Sequence, residues 1–314
     1  MIHPPRVDMH EETPMRRSTV EYANPSDQDI VEWLPPKPAD RRIRYGTDPL
    51  QFGDLRLPER NAPDGHPVVV FVHGGGWSAN WNMNYGDPLV AALTDAGVAT
   101  WSLEFRRVGH VGGGWPGTFL DVGAGLDHLR TLAGPHNLDL DRVVVVGHSS
   151  GGHLGVWAAG RHRIPEHSPL YVPDPLPVSG VVSLSGALDL SYRFEETTIR
   201  TLLGADADDV KDAEARLEAA SPMQMLPLGI PVKVVVGSAD NLRYLISDAR
   251  DFTARATQLG DTVDLSCLEG ANHFDVVDPD GPAWEVAAGA TFELLRHEAT
   301  PDTPSPDGHD DTLA

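Results

Sequence analysis

The chain has 314 residues, 40% of them hydrophobic, and sets 24 Lys and Arg against 46 Asp and Glu for a formal net charge of -22. That is enough chain to bury one large core, and so acidic a balance excludes a nucleic-acid binder, which needs Lys and Arg to displace counterions from phosphates. The single cysteine, Cys267, excludes an intramolecular disulfide and points to a reducing compartment; the amino terminus has no apolar leader core and no run is long enough to span a bilayer, so a soluble cytoplasmic protein without membrane contact is expected.

Residues 1–48 are rich in proline and mixed charge, with Pro35-Pro36-Lys37-Pro38 reading as an extended connector. They are expected to form an arm, with a short helix near 27–33, laid over one domain at 49–297. Residues 51–57 alternate weakly and fit an early strand. The run Val68-Val69-Val70-Phe71-Val72 is continuously apolar, the mark of a strand buried on both faces.

That strand runs into His73-Gly74-Gly75-Gly76-Trp77. Glycines at the carboxyl end of a central strand present bare backbone N–H groups to the crevice where open α/β sheets bind ligands, and such donors stabilise an oxyanion. The N–H groups of Gly75, Gly76 and Ser150 are assigned to that hole. His73, Gly74, Trp77 and His148 are assigned to the substrate pocket, Trp77 as a wall.

A helix is predicted at 87–96, closed by Gly97, then a strand at 98–103 and a longer helix at 118–133 stopped by Gly134-Pro135. The intervening loop, 106–117, holds five glycines around Trp115 and Pro116, so it is either mobile or tightly folded. It lacks both the P-loop Lys-Ser/Thr and a G-x-G-x-x-G, which excludes nucleotide binding; no cofactor is expected. The repeated alternation of strand and helix argues a mostly parallel sheet with helices on both faces.

Next, Val143-Val144-Val145-Val146 leads into Gly147-His148-Ser149-Ser150-Gly151-Gly152 and an apolar helix. A buried strand turning abruptly into a helix, with small residues around a serine, is the layout of a nucleophile elbow that lifts the Ser149 hydroxyl above the sheet. His148, His153, His162 and His167 match no zinc spacing, so no metal site is expected. A strand at 178–184 precedes Ser185-Gly186-Ala187-Leu188-Asp189-Leu190, and a helical, acidic stretch at about 186–226 reads as a cap insertion; its acids Asp206, Asp208 and Asp209 read as a solvated face.

A further buried strand, 232–236, and a next strand, 263–268, end respectively at Gly237-Ser238-Ala239-Asp240 and at Glu269-Gly270-Ala271-Asn272-His273-Phe274-Asp275. Cys267, inside the second, reads as a small core hydrophobe. Serine, acid and histidine in this chain order, each at a strand end, are the order of α/β-hydrolases and assign Ser149 as nucleophile, His273 as base and Asp240 as orienting acid, with Asp275 and Asp189 as competing acids. A last helix is predicted at 282–297, followed by an acidic tail at 298–314 read as disordered.

Taken together, His73-Gly-Gly-Gly-Trp77, Gly147-His-Ser-Ser-Gly-Gly152, Ser185-Gly-Ala-Leu-Asp-Leu190, Val234-Val-Val-Gly-Ser-Ala-Asp240 and Asn272-His-Phe-Asp275 resemble the kynurenine formamidase (arylformamidase) branch of the α/β-hydrolases over about 50–297. The resemblance implies an α/β-hydrolase fold, a triad falling on Ser149, Asp240 and His273, and cleavage of N-formylkynurenine to kynurenine and formate. The loop 106–117 and the long arm differ from that branch or have no clear counterpart in it. A carboxylesterase acting on small acyl or aryl esters uses the same residues, and a non-catalytic ligand-binding use of the fold is the reading from another class.

Overall fold

The computed structural model describes residues 38–193, 196–205 and 210–296. The helix expected near 27–33, the acids Asp206, Asp208 and Asp209 and the tail at 298–314 lie outside these. Eight strands form one sheet in the order β1-β2-β4-β3-β5-β6-β7-β8. They are β1 Arg41–Arg44, β2 Phe52–Arg56, β3 His66–Val72, β4 Ala99–Glu104, β5 Leu138–His148, β6 Gly180–Leu184, β7 Val232–Gly237 and β8 Val263–Leu268. Pairing is antiparallel at β1–β2 and β2–β4 and parallel from β4 through β8. This is the mostly parallel sheet of the α/β-hydrolase fold.

Nine helices connect the strands among the described residues: α1 Asp87–Asp95, α2 Gly117–Asp127, α3 Leu129–His136, α4 Ser150–Ala159, α5 Thr197–Leu202, α6 Val210–Ala220, α7 Pro222–Met225, α8 Tyr244–Gln258 and α9 Trp284–Arg296. The valine run of β5 divides between the two faces as a period of two requires. Val143 and Val145 join the core under α2, α4 and α8, while Val144 and Val146 join the core under α1 and α9. A strand buried on both faces cannot alternate with polar residues, which is why the central strands read as unbroken apolar runs.

Four expectations are corrected. The arm does not extend to residue 48, because Arg41–Arg44 is an edge strand; three arginines within it hid its period. The helix expected at 118–133 is two helices meeting at His128, and the second carries Pro135 inside it. Pro135 lies late enough for the helix to close on Asn137 in the left-handed conformation at φ 52°. Cys267 is exposed. It lies on β8 at the sheet edge, where α8 packs on β7 and β8 but α9 packs on β5, β6 and β7.

The segment between β6 and β7 docks on α4: Ala219 and Ala220 carbonyls accept from the Trp157 indole and the His153 ring, and the Met223 N–H donates to Leu188 O. Behind it, α8 buries Asp248 beside Asp189, with Arg193 and Asp251 in its field. Burial first, and then the charge of Asp189, push the Asp248 carboxyl up to about 7. A carboxyl raised in the fold binds its proton more tightly there than in the unfolded chain. Its contribution to stability is therefore present at acid pH and is lost as pH rises from about 4 through about 7. Asp248→Asn should leave the thermal midpoint close to wild type at about pH 4 and raise it above wild type at about pH 8, by scanning calorimetry. A gap that does not grow with pH contradicts this account.

Candidate active site

Ser149 stands at the junction of β5 and α4 with φ 55° and ψ -123°, a conformation that a side chain adopts only under tight surrounding constraint. The constraint is visible on both sides. A Cβ on Gly147 would collide with the Gly151 carbonyl, and one on Gly151 would collide with the carbonyls of Val72 and His73. The Ser149 N–H donates to Leu184 O at 2.8 Å, and its own carbonyl accepts the His153 N–H at 3.2 Å. This is the elbow expected from the sequence.

The glycine loop after β3 lies directly against it. A Cβ on Gly74 would come within 2.9 Å of the Ser149 Cβ, so only glycine allows the two segments this approach. Gly75, Gly76 and Trp77 follow with φ of 114°, 60° and 57°. Among the described residues no acceptor is seen for the Gly75 or Gly76 N–H, whereas Trp77 N–H donates to Ser150 Oγ at 3.2 Å. Ser150 opens α4, so its own N–H is one of the unpaired donors of a helix first turn. These three donors lie in the two segments that meet at Ser149, the loop after β3 and the first turn of α4.

His273 and Asp240 meet as expected. His273 Nδ1 lies 2.8 Å from Asp240 Oδ2, and both side chains are buried. The other carboxylate oxygen of Asp240 accepts the Leu242 N–H at 2.8 Å. Burial works to raise the Asp240 carboxyl, but the hydrogen bond and charge of His273, with the Leu242 N–H, outweigh it and hold it below the ordinary value. Asp240 is therefore the carboxylate poised to orient His273. The competitors are occupied locally: Asp275 accepts the Asn272 N–H, and Asp189 accepts from the Ser191 N–H and hydroxyl. The histidine loop is tied to the elbow through His148, whose Nε2 lies 2.9 Å from the His273 carbonyl.

The groups expected to contact substrate hold the site from behind. His73, Trp77 and His148 are buried and their ring nitrogens are engaged within the protein. His73 Nδ1 donates to the Gly74 carbonyl at 2.7 Å, and its Nε2 accepts from Arg107 at 2.7 Å, with Phe105 stacked on the ring at 4.4 Å. Arg107 also pairs with Glu104. The Trp77 indole donates to His153 Nδ1 at 3.0 Å, which burial keeps neutral by lowering its pKa to about 4. Tyr85, Glu104 and Arg107 have no role in the reading of the sequence, and His153 figures there only as a rejected metal ligand. Glu104 and Arg107 lie at or just after a strand end and His153 one helical turn from Ser149, which is the only trace of their role there; Tyr85, in the short turn Met83–Gly86, has none.

The loop 106–117 is tightly folded. Arg106 holds Asp121 through two side-chain bonds at 2.8 and 2.6 Å, Thr118 Oγ donates to the Arg106 carbonyl at 2.6 Å, and Gly114 N–H donates to Thr118 Oγ at 2.9 Å. Trp115 of this loop borders a cleft of about 620 Å³ that also involves Arg163, His167 and Arg216. It adjoins the segment after the carboxyl end of α4, whereas Ser149 precedes the amino end, and none of Ser149, Asp240 and His273 lines it. No group of three or more His, Cys, Asp or Glu side chains suited to a metal ion occurs among the described residues.

Residues 54–248 match the BD-FAE family model. The chain belongs to the BD-FAE family. Esterase LipC of Mycobacterium tuberculosis is 25% identical over 252 residues, covering 76% of this chain and 60% of LipC. Esterase LipQ of the same organism is 25% identical over 222 residues, 67% of this chain and 51% of LipQ. The chain therefore spans only about half to three fifths of these relatives. Among solved structures, esterase B from Lactobacillus rhamnosis inhibited by a tributyrin phosphonate superposes with a TM-score of 0.69 at 20% identity, covering 86% of this chain and 89% of that one. A truncated carbohydrate esterase from gut microbiota gives 0.66 at 20% identity, covering 82% of this chain and 99% of that one. At such identity these structures bear on the fold alone, and they share it. None of these four proteins is a kynurenine formamidase. The family match ends before His273, so that residue rests on its geometry.

Because the elbow is closed by backbone contact, Gly147→Ala and Gly151→Ala should each cost roughly 1–3 kcal/mol or more through overpacking. Urea unfolding checks this, and a variant as stable as wild type contradicts the close approach.

Proposed function

We propose that this chain is a carboxylesterase that cleaves small acyl or aryl esters through an acyl-enzyme on Ser149. The observation that carries the reading is the buried His273–Asp240 pair at 2.8 Å, tethered by the side chain of His148, the residue that precedes a serine in elbow conformation. A ligand receptor has no use for such a pair. With Nδ1–H directed at Asp240, His273 presents Nε2 as a base. It takes the Ser149 proton as the hydroxyl attacks the ester carbonyl, and the alkoxide of the tetrahedral intermediate accepts from the N–H groups of Gly75, Gly76 and Ser150. The same imidazole returns the proton to the departing alcohol. Water then attacks the acyl-enzyme with His273 as base again, releasing the acid and restoring Ser149. The helical segment between β6 and β7, expected as a cap, docks on α4 and lines a cleft that does not include Ser149.

Esterases among the relatives support the ester reading over the formamide one. N-formylkynurenine remains the second substrate class, favoured by the combined motifs that end in Asn272-His273-Phe274-Asp275. The chemistry is identical, a formyl group passing to Ser149 and an arylamine leaving.

Ser149→Ala should lower turnover of p-nitrophenyl acetate by at least about 10⁴-fold, and unchanged turnover would sink the reading. Asp240→Asn should cost about 10⁴-fold in kcat by offering the wrong tautomer at His273, while Asp275→Asn and Asp189→Asn should not. Parallel assays on p-nitrophenyl acetate and N-formylkynurenine rank the two substrate classes. Faster turnover of N-formylkynurenine than of aryl esters would make the formamide the first substrate class and the ester the second.

A further inference from the structure

Behind Ser149 a chain of hydrogen bonds crosses from one loop of the site to the other. The Gly74 N–H meets the Tyr85 hydroxyl, that hydroxyl lies 2.9 Å from His148 Nδ1, and His148 Nε2 lies 2.9 Å from the carbonyl of His273. The direction of every bond follows from its two ends. A backbone N–H only donates and a carbonyl only accepts, so Tyr85 accepts from Gly74 and donates to Nδ1, and His148 carries its proton on Nε2. Tyr85 and His148 are buried away from bulk solvent. Burial first, and then the neighbouring His273, lower His148 to about 3, so the ring stays neutral and the order of donors does not reverse with pH. Burial likewise holds the Tyr85 hydroxyl protonated.

The two ends of this chain are the two parts of the site that must be held at a set separation. Gly74 immediately precedes the free N–H groups of Gly75 and Gly76, and the carbonyl at the far end belongs to His273 itself. The glycine loop and the histidine loop share no strand pairing, so side chains must set their spacing. Tyr85 comes from a short 3-10 turn, Met83–Gly86, that belongs to neither loop.

We infer that Tyr85 is a positioning residue that fixes the oxyanion loop relative to the His273 loop through His148 held as its Nε2–H tautomer. The inference rests on the esterase reading of the same site. It assigns Tyr85 no contact with substrate, so its hydroxyl serves the transition state and not binding.

Tyr85→Phe in the full chain keeps the ring and removes the link. With p-nitrophenyl acetate, kcat should fall roughly tenfold while KM stays within about twofold. The double variant Tyr85→Phe/His148→Gln should be no slower than the slower single variant, because one break already severs the chain. Wild-type kcat in Tyr85→Phe, or multiplying losses in the double variant, overturns the inference. Nitrogen-15 NMR of the histidines in the wild-type protein, with the His148 signal assigned by its loss in His148→Gln, should show a neutral ring protonated on Nε2 from pH 5 to 9. A proton on Nδ1, or titration in that range, overturns the inference even where the variants fail to fold. Should the wild type hydrolyse no ester, or Ser149→Ala remain active, the esterase reading fails and the NMR result still decides the chain of bonds. Should Ser149→Ala be inactive and Tyr85→Phe unaffected, this inference alone fails.

Discussion

The structure depends on a backbone-to-backbone contact. The first turn of α4 is pressed so closely onto the ends of β3 and β5 that neither Gly147 nor Gly151 has room for a single carbon beyond Cα. A helix carried by ordinary side chains would stand well off the strands. Here the approach forces the residue between them into positive φ and turns its side chain out of the sheet. Strain at Ser149 is thus held by packing on both sides, with its N–H anchored on the neighbouring strand.

Asp240, His273 and the glycines beside that serine come from loops at the carboxyl ends of strands, where sheet pairing has ended and backbone groups need other partners. Buried imidazoles supply them. His73 bonds the carbonyl of Gly74, His148 bonds that of His273, and His153 bonds that of Ala220. Each ring joins two segments distant in the chain, because its two nitrogens point in different directions and can serve one donor and one acceptor. A neutral imidazole does this in a dry interior without the desolvation cost of a charge. Where a charge is buried, as at Arg107 and Glu104, it is paired.

Membership of the BD-FAE family and the shared esterase fold agree with this arrangement, but fold and chemistry come from different parts of the molecule. The sheet and its two helical layers carry most of the buried apolar surface, split by alternate side chains of the same strands. Ser149, Asp240 and His273 each follow the carboxyl end of a strand, at one end of the sheet. The 106–117 loop and the helical segment between β6 and β7 are built on α2 and α4, and they border a cleft away from Ser149.

The amino-acid sequence by itself determined the parts whose physics is local. Unbroken valine runs demand strands buried on both faces, glycines around Ser149 demand a sharp junction, and Ser149, Asp240 and His273, each at a strand end, fall on one rim of a parallel sheet. What the tertiary structure decided were contacts between loops and exposures at edges. It chose Asp240 over Asp189 and Asp275, since three acids at strand ends read alike until one is seen against His273. It turned His73, Trp77 and His148 from pocket lining into internal braces, because a polar side chain beside a motif does not reveal which way it points. It exposed Cys267, since an edge strand and a central strand can carry the same residues. Tyr85 had no signal at all: a tyrosine in a short turn acquires its role only when folding sets its hydroxyl between Gly74 and His148, partners 11 and 63 residues away.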